Sequence, residues 1–81
     1  MKIRVLFFSR LKDIIGAAEL EEEVAAGTTV AALLENLYAR HPDLRAWDSS
    51  ILIGAGVEFV AREYVIQPGD EIAIMPPVQG G

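Results

Sequence analysis

Residues 27–42, GTTVAALLENLYARHP, decide the fold. Apolar side chains recur in this stretch at i, i+3, i+4, i+7 and i+8, which is the spacing of one face of an α-helix. They are Val30, Leu33, Leu34, Leu37 and Tyr38. Thr28 or Thr29 is suited to cap the start, and Pro42 ends the helix at His41. The stretch therefore predicts one long helix that packs on the core along a single face.

A strand is predicted at the start of the chain. In residues 2–8, KIRVLFF, the alternate side chains Ile3, Val5 and Phe7 are all apolar, which is typical of the buried side of a strand. A short helical turn should follow over residues 9–16, SRLKDIIG. The chain is therefore expected to begin with a core strand that leads into a turn of helix.

This helical turn should be short, because Ser9 is a residue type that begins helical turns and Gly16 is a type that ends them.

A second strand is predicted between that turn and the long helix. Residues 18–24, AELEEEV, then indicate a strand with imperfect alternation. Its acidic run, residues 21–23, is typical of a charged sheet edge. A carboxylate metal site would require a histidine or further carboxylate at a fixed spacing, and the sequence places neither nearby.

A hairpin is predicted after the long helix. Residues 43–50, DLRAWDSS, indicate a loop that Trp47 closes by packing inward. Residues 51–60, ILIGAGVEFV, indicate two strands. The turn between them is expected at residues 54–56, Gly-Ala-Gly, because glycine permits the backbone angles of a tight turn. The second half of the chain is therefore expected to return to the sheet.

The last strand follows another tight turn. Residues 67–70, QPGD, place proline and glycine where a type II turn requires them. Residues 71–75, EIAIM, then direct Ile72 and Ile74 toward the core. Two strands, a long helix and further strands predict an α+β domain over residues 1–75, in which one helix packs across one face of a sheet.

Composition and charge narrow the class of protein. The chain has 81 residues, of which 52% are apolar, and no cysteine, so we expect one small domain without disulfides or thiolate metal sites. A net charge of −5 with scattered basic residues argues against a nucleic-acid partner. No apolar stretch approaches the roughly 20 residues of a membrane span. We therefore expect a soluble, cytoplasmic protein with neither nucleic acid nor membrane as a partner.

Familiar catalytic motifs are missing from the sequence. The single histidine, His41, belongs to no catalytic motif, and a histidine at a helix end is favoured by the helix dipole. Gly54 and Gly56 begin a GxG pattern, but Phe59 stands where the third glycine should be, so a dinucleotide fingerprint fails. We expect no metal site and no bound cofactor.

The chemically distinctive segment is the tail, residues 76–81, PPVQGG. Its two prolines have a fixed φ, which lowers the entropy lost when the tail is ordered. Extended, six residues reach roughly 18–21 Å, and glycine adds no side chain that would block a narrow channel. An ATP-consuming partner could convert the carboxylate of Gly81 to an acyl-adenylate for attack by sulfur or nitrogen. The tail residues are Pro76, Pro77, Val78, Gln79, Gly80 and Gly81.

An exposed apolar patch is expected beside this tail. Leu6 and Phe8 lie on the side of the first strand that faces away from the core, and Ala73 and Met75 lie on the corresponding side of the last strand. Phe59 of the hairpin is a further candidate. If the first and last strands are neighbours, these residues form one surface, which we interpret as a docking surface for a partner protein.

Three segments resemble a known family. They are residues 3–16, IRVLFFSRLKDIIG, residues 28–37, TTVAALLENL, and above all residues 68–81, PGDEIAIMPPVQGG. These segments resemble the small, sulfur-carrying subunits of molybdopterin synthase, and the resemblance extends over essentially the whole chain. It implies a ubiquitin-like β-grasp fold with a mixed sheet, in agreement with the predicted order of elements.

The resemblance also implies a function. A ubiquitin-activating-type adenylyltransferase would use ATP to adenylate Gly81, whose carboxylate would then become a thiocarboxylate. The tail would insert into the large subunit of molybdopterin synthase, where the sulfur passes to a cyclic pyranopterin precursor. Two carriers would serve a central dimer of large subunits, which gives a heterotetramer. The chain would then be the non-catalytic sulfur carrier of molybdenum cofactor biosynthesis.

Other functions would use the same fold. A sulfur carrier of the thiamine pathway shares the Gly-Gly end, although the Pro76-Pro77 pair favours the molybdopterin branch. A ubiquitin-like protein modifier would pass the same adenylate to a lysine amine. A passive β-grasp interaction domain would leave its tail unused.

Overall fold

The computed structural model describes residues 1–77, which contain five strands and three helices: a strand, a helix, a strand, two helices and three further strands. The strands are β1 (Lys2–Phe7), β2 (Glu19–Glu23), β3 (Leu52–Ala55), β4 (Glu58–Phe59) and β5 (Glu71–Met75). The helices are α1 (Arg10–Ile15), α2 (Val30–Arg40) and α3 (Pro42–Arg45). None of these helices, in the part of the chain that is described, is long and apolar enough to cross a membrane.

The strands form one mixed sheet in the order β2-β1-β5-β3-β4. The first and last strands are neighbours and run parallel, with Val5 opposite Ile72 and Leu6 opposite Ala73. The other three pairs of neighbouring strands are antiparallel. This confirms the predicted α+β architecture, and it places β2 at one edge, as its acidic sequence indicates.

Helix α2 packs across one face of this sheet. Thr29 caps the helix by accepting a hydrogen bond from the backbone N–H of Ala32 (3.2 Å), and Arg40 is its last residue, with His41, the predicted end, as the C-terminal cap. Its five predicted core residues are all buried against the inward sides of the strands. Burial of each such aliphatic side chain stabilises the folded state by about 1.5–3 kcal/mol relative to leaving it exposed to water. Core residues no more than 4% exposed include Ile3, Val5, Phe7, Leu33, Leu34, Leu37, Ile53, Ile72 and Ile74.

The edge strand β2 is joined to the helix layer by an ion pair. Glu22 lies on the same side of β2 as Leu20, and its side chain is only 12% exposed. Its carboxylate accepts hydrogen bonds from the guanidinium of Arg40 at the end of α2. The imperfect alternation of β2 therefore has a physical reason, because the carboxylate on the inward side is neutralised by an arginine.

The segment after α2 differs from the prediction. Residues 43–50 were expected to be a loop, but Pro42 occupies the first turn of the short helix α3, where a fixed φ and a missing N–H are both favourable. Leu44 of this helix is fully buried. Trp47 follows it half-buried and packs against the core, as predicted.

Two predictions about chain reversals are also corrected. The hairpin turns at Gly56 and Val57 and not at residues 54–56, because Ala55 already pairs with Glu58. Gly56 has φ 63°, which the two-residue turn requires. Ser9 precedes α1 but makes no side-chain capping hydrogen bond, since its backbone is not in the extended conformation of a capping residue.

The turn before β5 is confirmed. Gly69 has φ 80°, and the N–H of Asp70 donates a hydrogen bond to the carbonyl oxygen of Gln67 (3.1 Å). This is the geometry that a type II turn requires at its third residue. Gly16 likewise ends α1 in the left-handed conformation, as predicted.

Candidate functional site

The C-terminal segment leaves the sheet directly from β5. Pro76 and Pro77 follow Met75 and are half-buried. Four of the predicted tail residues lie outside the described residues, namely Val78, Gln79, Gly80 and Gly81. The part of the candidate site that the structure describes therefore consists of the surfaces around Pro76 and Pro77.

The predicted patch residues come together on the outer face of the sheet, which is the face opposite α2. Leu6, Ala73, Gly54 and Phe59 form a row across four strands, because each is the cross-strand neighbour of the next. The row lies in a shallow depression beside the start of the tail, which we call the outer groove. All five predicted patch residues line the outer groove, namely Leu6, Phe8, Phe59, Ala73 and Met75.

The outer groove has aromatic sides and an aliphatic floor. The rings of Phe8 and Phe59 are 46% and 73% exposed and lie on opposite sides, near β1 and β4. Leu6, Ala73 and Met75 are half-buried between them. Large apolar side chains exposed together are typical of a protein-binding surface. The geometry is thus that of a docking surface, and its use by a partner stays a prediction.

The floor of the outer groove depends on Gly54, whose role sequence reasoning missed. A Cβ atom at this position would lie 3.4 Å from Cε of Met75 and 3.7 Å from Cβ of Ala73. Any longer side chain would therefore project into the outer groove. Gly54 was assigned to the turn, although strand alternation from buried Ile53 would have placed it on the outward side of β3.

The other half of the outer face is charged and internally paired. Arg4 forms ion pairs with Glu19 on β2 and Glu71 on β5, and Nζ of Lys2 lies 3.8 Å from a carboxylate oxygen of Glu21. Exposed ion pairs of this kind contribute only about 0.2–1 kcal/mol each. The outer face is therefore divided into a self-paired charged half and an apolar half that adjoins the tail.

A polar network lies on the helix side of the fold. Asp48 accepts hydrogen bonds from the Tyr38 hydroxyl (2.5 Å) and from Nη1 of Arg62 (2.9 Å). These hydrogen bonds hold the pKa of Asp48 below its ordinary value, and the bond from Tyr38 has the largest effect. Burial raises the pKa of Tyr38. Within residues 1–77 no group of three or more His, Cys, Asp or Glu side chains is arranged to hold a metal ion. The network is suited to structural stabilisation, because its charges are already paired.

Comparison with known proteins identifies the family that this sequence matches. The sequence model described as the ThiS family matches residues 5–81. The molybdopterin synthase sulfur carrier subunit of Arabidopsis thaliana is 30% identical over 81 residues, which cover 100% of this chain and 84% of that protein. The protein of the same name from Escherichia coli (strain K12) is 32% identical over 81 residues, which cover 98% of this chain and 99% of that protein.

The solved structures confirm the predicted ubiquitin-like β-grasp fold. The crystal structure of SAMP1 from Haloferax volcanii has a TM-score of 0.84 to this chain at 28% identity and covers 100% of both chains. Sequence and structure comparisons therefore agree, and the match of the sequence to the ThiS family model extends to residue 81.

Proposed function

The chain belongs to the ThiS family, and from this premise we propose that it is the sulfur carrier subunit of a molybdopterin synthase. The observation that carries the proposal is the end-to-end match to relatives that bear this name. They are 30–32% identical to the chain, and the match covers 84–99% of their length. The apolar outer groove beside the tail gives such a carrier the docking surface that it needs.

The proposed chemistry takes place at the carboxylate of Gly81. A carboxylate oxygen attacks the α-phosphorus of ATP in an adenylyltransferase of the ubiquitin-activating type, and pyrophosphate leaves. A hydrosulfide then displaces AMP and gives the thiocarboxylate directly. If a persulfide displaces AMP instead, a thiol cleaves the resulting acyl disulfide, which releases the thiocarboxylate and leaves the donor as a disulfide. In this scheme ATP is held by the partner, the carrier binds no cofactor, and the reaction takes place in the cytoplasm.

Sulfur delivery requires the tail to enter the large subunit of molybdopterin synthase. Pro76 and Pro77 begin the tail beside the outer groove, so a partner that covers Phe8 and Met75 also receives the tail. The thiocarboxylate sulfur then displaces an oxygen substituent from a carbon of the cyclic pyranopterin precursor, and water hydrolyses the resulting thioester to a thiol on the product and the carboxylate of Gly81. We propose two carriers on one dimer of large subunits. The adenylyltransferase uses the same groove, so the two partners exclude each other.

A protein modifier is the second candidate function. Its support is the likeness to SAMP1, which is a small archaeal modifier protein. A modifier would pass the acyl-adenylate to a lysine amine, with loss of AMP and formation of an isopeptide bond. A thiamine-pathway sulfur carrier would form the same thiocarboxylate and differ only in the molecule that receives the sulfur. The acceptor is therefore what the experiment must identify.

The test is activation followed by transfer. The chain is co-expressed with its adenylyltransferase, and its intact mass is expected to increase by the difference between sulfur and oxygen. The thiocarboxylated chain, mixed with the large subunit and the pyranopterin precursor, should yield molybdopterin and return to its original mass. A chain without Gly81 is the control. Covalent conjugates to lysine and no molybdopterin would instead establish the modifier and overturn the proposal.

A further inference from the structure

We propose that a cleft on the helix side of the tail is a second contact surface, which binds a carboxylate-bearing segment of the partner protein. The cleft is lined by Ser9, Arg10, Trp47, Pro76 and Pro77. The inference depends on the proposed function in one respect, because it takes the large subunit of molybdopterin synthase as the partner. We call this surface the tail cleft.

The position of the tail cleft follows from the fold. Ser9 and Arg10 lie where β1 leads into α1, and Trp47 follows α3, so the tail cleft is built from the helix side of the sheet. The outer groove lies on the opposite face. The tail therefore leaves the domain between two surfaces, with Phe8 on the outer side and Trp47 on the helix side. A partner that surrounds the tail contacts both.

The distribution of charge indicates what the tail cleft binds. Five of the seven basic side chains form ion pairs, namely Lys2, Arg4, Arg40, Arg45 and Arg62. Among residues 1–77, Arg10 and Lys12 have no acidic side chain within ion-pair distance. Both lie on α1, where Arg10 lines the tail cleft and Lys12 lies on a neighbouring surface with Phe8. In a chain of net charge −5, Arg10 thus places a positive charge without an ion pair on the lining of the tail cleft, where none of the described lining residues is acidic, and this charge is complementary to a carboxylate.

The backbone conformation of Ser9 helps to set the position of Arg10. Ser9 has φ 52° and ψ −131°, a region that side-chain-bearing residues avoid. Strain of this kind persists where the surrounding structure holds it and is often found at binding sites. Here it turns the chain from β1 into α1 within a few residues and leaves Arg10 exposed on the lining of the tail cleft.

The walls of the tail cleft favour a protein segment over a free anion. The indole of Trp47 and the two proline rings are apolar, and Arg10 is the single cation among the lining residues. A small anion would meet one exposed charge, which is worth little in water. A protein segment can pack an apolar side chain on Trp47 while its carboxylate receives the two parallel hydrogen bonds of a guanidinium.

The first test compares two substitutions with the same change in charge. Arg10→Gln and Lys2→Gln each change the net charge from −5 to −6, but Lys2 lies at the far end of β1. We expect Arg10→Gln to weaken binding to the large subunit about threefold to tenfold and Lys2→Gln to leave it within about twofold. Arg10→Lys should recover part of the loss. Calorimetry measures all three with the full chain.

The second test uses the only tryptophan of the chain as a probe. The chain labelled with 5-fluorotryptophan has a single ¹⁹F signal, that of Trp47, and the large subunit is left unlabelled. We expect this signal to shift on binding of the partner and to shift less in Arg10→Gln. Inorganic phosphate at the concentration of the partner should leave it unchanged.

The results separate this inference from the proposed function. Tight binding of the unmodified chain with equal affinity for Arg10→Gln and Lys2→Gln, and an unmoved ¹⁹F signal, would overturn the tail cleft and leave the carrier function intact. A full shift with phosphate alone would show an anion site and would also overturn it. Failure of the unmodified chain to bind the large subunit would remove both proposals.

Discussion

Gly54 lies directly opposite Phe59 in the register of β3 and β4, and a side chain at Gly54 would contact Met75 and Ala73 in the outer groove. The absence of a side chain at one strand position thus keeps open the surface that adjoins the tail. Gly54 is not in a left-handed conformation. Glycine is therefore favoured here because a side chain would fill the outer groove, and not because the backbone requires it.

The first prediction follows from that relationship. Gly54→Leu should fill the outer groove and weaken binding to the large subunit by at least tenfold, because the partner loses its access to the aliphatic floor. Calorimetric titration measures the affinity. Ala31→Leu, on the exposed face of α2, is the matched control and should bind normally. Unchanged affinity of Gly54→Leu would show that the partner docks elsewhere.

The second prediction concerns the anchors of the outer groove. Phe8→Ala and Met75→Ala should each weaken partner binding by about 1–3 kcal/mol if they are central anchors. They should cost little folding stability, since Phe8 is exposed and Met75 is only half-buried. Val65→Ala removes an exposed apolar side chain outside the outer groove and serves as control. Normal binding combined with a large drop in the urea midpoint would reverse the assignment of the two faces.

The third prediction concerns the end of the tail. Removal of Gly81, or addition of one residue after it, should abolish adenylation and sulfur transfer, because the reacting carboxylate is lost or displaced. The melting temperature should hardly change, since the core lies within residues 3–74 and chain ends contribute little to stability. Gly80→Val should react poorly, because a branched side chain crowds a narrow channel and restricts the backbone. Molybdopterin formation by the chain without Gly81 would refute the assignment.

The fourth prediction concerns salt. A chain of net charge −5 should associate faster with a basic partner surface at low ionic strength, where charges are weakly screened. Stopped-flow association rates should fall between about 0.02 and 0.5 M salt, while dissociation, which reports on the apolar contacts, should change less. An association rate that does not vary with salt would contradict electrostatic steering.

The fifth prediction concerns acid stability. Hydrogen bonds from Tyr38 and then Arg62 hold the pKa of Asp48 below its ordinary value in the folded chain. A carboxylate with a lowered folded pKa stabilises the fold above its unfolded pKa of about 3.9, and this contribution is lost as pH falls through the folded pKa. Urea unfolding should therefore show a free energy that declines below about pH 4.

Asp48→Asn tests this assignment. The variant should be less stable at neutral pH and should lose less stability on acidification, because its side chain does not titrate. Part of the decline should remain, since the N-terminal ammonium also lowers the pKa of Glu23. Glu63→Gln, an exposed position, is the control. An acid dependence in Asp48→Asn as steep as that of the original chain would exclude Asp48 as a cause.

The repeating patterns of the sequence determined the fold. The helical spacing of Val30, Leu33 and Leu37, together with the alternation of Ile3 and Val5, identified the helix and the inward sides of the strands. These predictions succeed because helix and strand have constant periods, and burial of one face is the main stabilising contribution. The same alternation placed the patch residues outward. The composition of the tail and its resemblance to sulfur carriers indicated the family.

Tertiary structure alone decided how distant segments combine. The role of Gly54 depends on strand register, because the pairing of Ala55 with Glu58 moves the turn and returns Gly54 to the sheet. The tail cleft joins Arg10, Trp47 and Pro76, which no local pattern connects. Short-range periodicity reports which side of an element is buried. Which elements become neighbours, and which charges remain without a partner, is settled only when the chain folds, because those contacts join residues far apart in sequence.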